Sequence, residues 1–305
     1  MNLQKIKYII LAARPNQWIK NLIIFTAIVF AGKLFDFNLL LRTIVGFVIF
    51  CLLSSTSYIL NDIIDYPYDK RHPLKKFRPV ASGKLSIHEA SFFVFTLSFF
   101  SLIMALIFST QFFFTAFTFL LLHFLYSLYF KKQPVLDIFT ISFSFMLRAF
   151  SGQVLTGYHI QIWLLLTIFF ISLFIASVKR HAELVLHGSK TRFTLSFYKG
   201  HLLDFLTTTF ATLTIVTYSL YTFLEKPPLI ESPLSRYFYF FPQFEMRKWF
   251  MITIPLVVYG ISRYAQLLYE RDEGEAPEKI ITQDKPLIFT ILLWGVIVVA
   301  LIYVF

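Results

Sequence analysis

Long apolar stretches constrain this chain more than any other feature. Segments of the length a bilayer demands, about 20 residues each, occur at roughly 18–35, 41–61, 90–108, 112–130, 135–157, 162–178, 203–224, 249–269 and 286–305. Only 15% of the 305 residues are charged, against about 25% in an ordinary soluble domain. Backbone groups in lipid must be satisfied within the segment, so spans of this kind are helices. The expectation is an all-α polytopic membrane protein with nine transmembrane helices, forming one transmembrane domain over residues 1–305. The N-terminal segment Met1 to Trp18 carries Lys5, Lys7 and Arg14 and lacks the pattern of a cleavable signal. The single cysteine, Cys51, lies in an apolar run, which excludes a disulfide framework and a thiolate metal site.

A formal net charge of +11 would suit nucleic acid, but the cations sit in short loops between apolar spans. That distribution reads as membrane topology and anionic ligands, not nucleic acid. With the N-terminus in the cytoplasm, most of the 28 Lys and Arg residues fall on the cytoplasmic side. The expected place is a cell (inner) membrane, with charged helix ends and a reaction site facing the cytoplasm. Oligomeric state is left open, a homo-oligomer included.

The most unusual interruption of the apolar pattern runs from Asn61 to Arg78, N-D-I-I-D-Y-P-Y-D-K-R-H-P-L-K-K-F-R. On a helix at about 100° per residue, Asp62, Asp65 and Asp69 fall within roughly 60° of one another. Carboxylates crowded at the end of a membrane span need a positive partner. Mg²⁺ fits, since it takes carboxylate oxygen and leaves positions for phosphate oxygens. The cations from Lys70 to Arg78 would meet the remaining charge of a phosphorylated ligand. Pro67 is awkward here: it disfavours helix at Tyr66, and a helix ending there would take Asp69 off the stripe.

Other cations have two readings each. Arg14 and Lys20, in R-P-N-Q-W-I-K-N, either reach up to lipid headgroups or bind phosphate. Asp137 and Arg148 share one face of the fifth span, eleven residues apart. Arg148 is either a paired buried arginine or a holder of lipid-linked phosphate. Lys179 and Arg180 either pair with Glu183 along their own helix or complete a diphosphate clamp. His72 and His181 border these sites, and neither carries a ligand role.

Taken together, four blocks carry a family resemblance: R-P-x-Q-W-x-K-N at 14–21, N-D-x-x-D-x-x-x-D-x-x-H-P-x-K-x-F-R-P at 61–79, Y-S-L-x-x-K-x-x-P-V-L-D at 126–137 and K-R-x-x-E-L at 179–184. They resemble the UbiA superfamily of intramembrane prenyltransferases, and more narrowly its decaprenyl-phosphate phosphoribosyltransferase branch. G-E-A-P-E with Asp284 and Pro286 agrees. The resemblance implies a UbiA-like bundle and an Mg²⁺-dependent transfer of 5-phosphoribose from 5-phosphoribosyl diphosphate to a polyprenyl phosphate, a step of cell envelope biosynthesis. It implies that Asn61, Asp62, Asp65 and Asp69 hold the metal, with Asp62 and Asp65 essential to catalysis. Lys20, Asn61, Arg71, Arg78, Lys131, Arg148, Lys179 and Arg180 are the candidates for contacting substrate. Where ordinary superfamily members resemble one another in a second acidic motif after span six, this chain has Lys179, Arg180 and Glu183. The alternatives are transfer of an isoprenoid chain from its diphosphate to an aromatic acceptor, and transport of anionic metabolites.

Overall fold

The computed structural model describes residues 3–71, 75–187, 198, 200–225, 246–271 and 283–303. His72, residues 188–197 and 199 of the loop beyond Lys179 and Arg180, and the acidic run beyond Arg271 with its G-E-A-P-E lie outside them. Among the described residues every regular element is helical. α1 is Leu3–Ala13, followed by a 3₁₀ segment Pro15–Phe25 that runs into α2, Thr26–Phe30. α3 is Phe37–Ile64, α4 Tyr66–Asp69, α5 Ile87–Phe108, α6 Thr110–Leu128 and α7 Leu136–Thr156. α8 is Ile162–His187, α9 Gly200–Leu224, α10 Ile254–Arg271 and α11 Lys285–Tyr303.

Seven of these segments are long and apolar enough to cross a membrane: those at Phe37–Ile64, Ile87–Phe108, Thr110–Lys132, Leu136–Thr156, Ile162–Val185, Trp249–Leu267 and Lys285–Tyr303. The protein is therefore a multi-pass membrane protein. The other two expected spans correspond to the 3₁₀ segment with α2, and to α9. The first is broken in two and the second is rich in threonine, with seven Thr from Thr207 to Thr222, so neither is among the seven.

Caps set the boundaries. The Asp36 carboxylate accepts from Asn38 N and Leu39 N, both at 3.1 Å, and starts α3. Ser86 and Glu89 form a reciprocal capping box on α5. Ser109, extended at φ −170°, separates α5 from α6 and caps the latter through Phe112 N at 3.0 Å. Gly157 ends α7 in the left-handed conformation, φ 76°.

α8 packs along α9, α3 along α5, and α7 lies between α6 and α8 while also touching α3 and the 3₁₀ segment. That last contact is unusually close. A Cβ on Gly152 of α7 would stand 2.0 Å from the carbonyl oxygen of Ile24, so only glycine lets the two backbones meet. Large aromatic side chains such as Phe92, Phe95, Phe99 and Phe100 line the outside of α5, as suits a surface facing lipid. Polar side chains turn inward, and one such stripe on α3, from Cys51 through Ser54, Ser55 and Tyr58 to Asp62, leads toward the site.

Candidate active site

The end of α3 and the short α4 carry the carboxylates. Asp65 closes α3 without leaving helical dihedrals, φ −84° and ψ −4°. Pro67 then falls in the first turn of α4, where its missing N–H costs nothing. The chain therefore continues helically past the proline, and Asp69 stays close to Asp62. Asp69 is buried, and Arg78 Nη1 bridges the two carboxylates, at 2.6 Å to Asp69 Oδ2 and 3.1 Å to Asp62 Oδ1.

Asp62 is only 1% exposed. Its Oδ1 also receives Arg14 Nη2 at 2.5 Å. Arg14 reaches it from a left-handed backbone, φ 51° and ψ 62°, immediately before Pro15. A proline disfavours right-handed helix in the preceding residue, and αL is costly for a side chain with a Cβ. The guanidinium also lies over the Tyr58 ring, 5.4 Å from its centroid. Asp65 forms a second group: Lys131 Nζ donates to Asp65 Oδ1 at 2.5 Å and to Asn61 Oδ1 at 3.1 Å, while Asn61 Nδ2 donates to Asp65 Oδ2 at 3.0 Å.

The expected stripe of three acids converging on one ion needs correction. Among the described residues no three His, Cys, Asp or Glu side chains come together in a way that could hold a metal. The stripe divides instead into an Asp62–Asp69 pair and an Asn61–Asp65 pair, each neutralised by cations. The residues nevertheless suit a hard ion. All the donors are oxygens, and Asp62 Oδ2 is buried with no hydrogen-bond partner, an orphaned acceptor that a cation would satisfy. Mg²⁺ commonly takes one or two carboxylates and completes its shell with phosphate and water.

A separate network occupies the position expected for a diphosphate clamp. Arg180, 2% exposed, donates Nε to Asp137 Oδ2 at 2.8 Å and Nη1 to Glu183. Tyr198 OH donates to Asp137 Oδ1 at 2.8 Å and accepts from Val135 N at 2.5 Å. Burial, with the Asp137 charge beside it, pushes the Tyr198 phenol above its ordinary pKa, so it remains a donor. Val135 itself has φ 67° and ψ −46°, and Leu136 N closes onto Pro134 O at 2.7 Å. That is a strained γ-turn for a β-branched residue, and Tyr198 supports it. Arg180 is thus committed to acids on its own helix and on α7. Asp137 and Arg148 share α7, but Asp137 pairs with Arg180.

Lys20 is half-buried on the 3₁₀ segment, Lys179 half-buried on α8, and Arg71 exposed. Arg148 is buried and donates to Asn21 and Ser144. Arg14 gave an ambiguous signal in the sequence, and its hold on Asp62 is a property of the fold.

The sequence model of the UbiA prenyltransferase family matches residues 21–294. The chain belongs to the UbiA prenyltransferase family. Relatives include the decaprenyl-phosphate phosphoribosyltransferase of Corynebacterium glutamicum, 32% identical over 300 residues covering 96% of this chain and 86% of that protein. The protein of the same name from Mycolicibacterium smegmatis is 32% identical over 302 residues, covering 97% and 92%. Among solved structures, a UbiA homolog from Archaeoglobus fulgidus bound to GPP and Mg²⁺ superposes with a TM-score of 0.72 over 97% of this chain and 99% of that one. At 18% identity this likeness bears on the fold, and it is the all-helical UbiA fold expected from the motifs.

Proposed function

We propose that this UbiA-family protein transfers 5-phosphoribose from 5-phosphoribosyl diphosphate to a polyprenyl phosphate and releases diphosphate. The observation that carries the reading is one oxygen-rich carboxylate face interleaved with Arg14, Arg78 and Lys131, with no second acidic pair among the described residues at the end of α8 to match it. Glu183, in the place of a second acidic motif, is spent on Arg180. A prenyl diphosphate held between two acidic motifs has no counterpart in that arrangement. The near full-length likeness to two decaprenyl-phosphate phosphoribosyltransferases supports the same choice.

Asn61, Asp62, Asp65 and Asp69 would hold Mg²⁺, which when bound supplies neutralisation of the departing diphosphate. The chain's own cations do the rest. Arg78 and Lys131 already lie against the carboxylates and would share their donors with the diphosphate oxygens. Arg14 holds Asp62 in one orientation and limits its freedom before the donor arrives. Charge leaving with the diphosphate makes the ribose C1 electron-poor, and fixed cations aimed at the leaving group stabilise that change. A phosphate oxygen of the acceptor then forms a bond to C1 as the bond from C1 to the diphosphate oxygen breaks. A phosphate monoester is largely ionised near neutral pH, its second pKa being about 6. No general base is required.

The topology that goes with this reading is nine spans in one domain, with the N-terminus and the carboxylate face on the cytoplasmic side of the cell membrane. The Lys/Arg distribution supports it, and a water-soluble donor requires it. The test is purified protein in detergent with labelled phosphoribosyl diphosphate, Mg²⁺ and a polyprenyl monophosphate. Labelled lipid that disappears in Asp62→Asn supports the assignment. Labelled lipid formed only from a prenyl diphosphate and an aromatic acid would replace it with ordinary prenyl transfer.

A further inference from the structure

The cations of this site differ in whether a carboxylate holds them. Arg14, Arg78 and Lys131 are each paired with Asp62, Asp65 or Asp69. Arg148 is not paired with any carboxylate among the described residues. Its Nε donates to Asn21 Oδ1 at 2.7 Å and its Nη1 to Ser144 Oγ at 2.9 Å. Its guanidinium carbon lies 4.6 Å from the Phe119 centroid and 5.1 Å from that of Phe145. Nη2 makes no hydrogen bond to the described residues. A charge at 2% exposure, met only by neutral oxygens and ring faces, is incompletely compensated.

His123 lies against the same Phe119 ring, with centroids 4.5 Å apart, and its Nε2 is buried with no hydrogen-bond partner. Lys20 and Arg148 are both close enough to act electrostatically on that imidazole. Lys20 adjoins Asn21, the residue that Arg148 grips. Arg148 and the His123 imidazole therefore flank one ring, Phe119, with Lys20 within electrostatic reach. No acid lies on the 3₁₀ segment or α6, and the one on α7, Asp137, is turned to Arg180. The α3 face opposite offers Cys51 and Ser54, which bond Asn21. One turn further toward the carboxylates stands Tyr58, near enough to interact with Arg148 and lying under Arg14.

We propose that Arg148, His123 and Lys20 form the subsite for the acceptor's phosphate, distinct from the donor's site at the α3 carboxylates. This rests on the phosphoribosyl-transfer reading and divides its basic residues between the two substrates. A phosphate monoester near neutral pH carries close to two negative charges. The guanidinium fork, with Nη2 and one Nη1 proton unused, matches two of its oxygens, and His123, with its proton on Nε2, donates to a third. Along α3 the two subsites lie on one polar stripe, with Tyr58 between Ser54 and Asp62, so the acceptor phosphate would reach the ribose from the membrane side of the carboxylates. A neutral polyprenol or an aromatic acceptor without charge would leave the Arg148 guanidinium without an anion. The site thereby selects for an anionic headgroup.

The experiment measures KM separately for 5-phosphoribosyl diphosphate and for farnesyl monophosphate as a short acceptor probe, with wild type, Arg148→Lys, Arg148→Gln and His123→Phe. Binding of farnesyl phosphate without donor is followed by calorimetry, and farnesol serves as the uncharged control. Arg148→Gln and His123→Phe are expected to raise the acceptor KM at least tenfold and severalfold respectively, with the donor KM within twofold of wild type. Arg148→Lys, which keeps charge and loses the fork, falls between. An acceptor KM unchanged in a folded variant overturns the subsite. Equal rises in both KM values, or farnesol bound as well as its phosphate, do the same. If Arg148→Gln does not fold, His123→Phe carries the comparison. Wild type that makes no phosphoribosyl lipid at all defeats the underlying activity instead, a result separable from any of these.

Discussion

Gly152→Ala is the smallest change that disturbs the site from outside it. The new methyl would lie 2.0 Å from Ile24 O, 2.9 Å from Ile24 C and 3.3 Å from Ile24 Cα. These are backbone atoms and cannot rotate away. Ordinary contact begins at 3.4 Å, so the 3₁₀ segment must retreat from α7 by about 1.4 Å, the difference between the two distances. Arg148 is one turn before Gly152, and Asn21 is one 3₁₀ turn before Ile24. The retreat therefore stretches their 2.7 Å hydrogen bond past the useful limit. It also carries Arg14, at the head of the same segment, away from Asp62. Overpacking of this kind costs about 1–3 kcal/mol, and a misplacement near 1 Å can cost on the order of 10²-fold in rate. Thermal unfolding in detergent and turnover of labelled donor measure the two effects. Gly295→Ala, with open space around its new methyl, is the control and should leave both unchanged. A Gly152→Ala protein with wild-type melting and wild-type turnover would refute the claim that this backbone contact sets the position of Asn21 and Arg14.

Asp62→Asn should lower kcat by about 10²–10³-fold, the range seen when one electrostatic group is removed from an active site, and chelation with EDTA should abolish transfer until Mg²⁺ is restored. Turnover that persists in EDTA would remove the metal from the reaction. Lys131→Ala, which strips the cation from Asp65 and Asn61, should raise the donor KM by roughly tenfold, equivalent to the loss of one charge-assisted hydrogen bond. Steady-state kinetics varying donor at saturating acceptor decides it, and an unchanged donor KM counts against the assignment. Arg180→Met leaves Asp137 buried beside Tyr198 without its cation and should cost about 3–5 kcal/mol of stability. Tyr198→Phe removes one hydrogen bond to that carboxylate and should cost about 1.5–3 kcal/mol. Melting curves that rank the two in the opposite order would show that the Asp137 network is organised around the phenol.

The carboxylates were legible because their spacing is a property of the chain alone. Asp62, Asp65 and Asp69 read as one stripe from helical periodicity, and the structure keeps Asp62 and Asp69 together across Pro67. Their partners were not legible to the same degree. Arg14 stands forty-eight positions from Asp62 in sequence and reaches it through a left-handed residue whose conformation depends on Pro15 and on how the 3₁₀ segment packs. The 3₁₀ geometry of Pro15–Phe25 likewise has no compositional mark. Eleven residues of i→i+3 winding are uncommon, and this one is held against α7 where Gly152 lets it approach. The partner of Asp137 was hidden for a simpler reason. Sharing a helix face does not mean contact: at about 1.5 Å of rise per residue the two lie roughly 16 Å apart along the axis. Arg180, on the neighbouring helix, was nearer.

Charge balance argues for the same division of labour from another direction. The α3–α4 carboxylates, three in number, already face three cations in Arg14, Arg78 and Lys131. A divalent ion arriving with the donor cancels most of the charge of its diphosphate, while the donor's 5-phosphate brings close to two negative charges more. Arg148, with His123 and Lys20 close by, lies beyond this balance, in a setting where effective dielectric is low and an incompletely compensated charge is costly. An acceptor that brought no charge would leave that cost in place through the whole reaction. An acceptor bearing a phosphate relieves it on binding, and its negative charge falls as the phosphodiester forms. The attraction is then strongest before bond formation and weaker afterwards, which favours capture of the substrate over retention of the product.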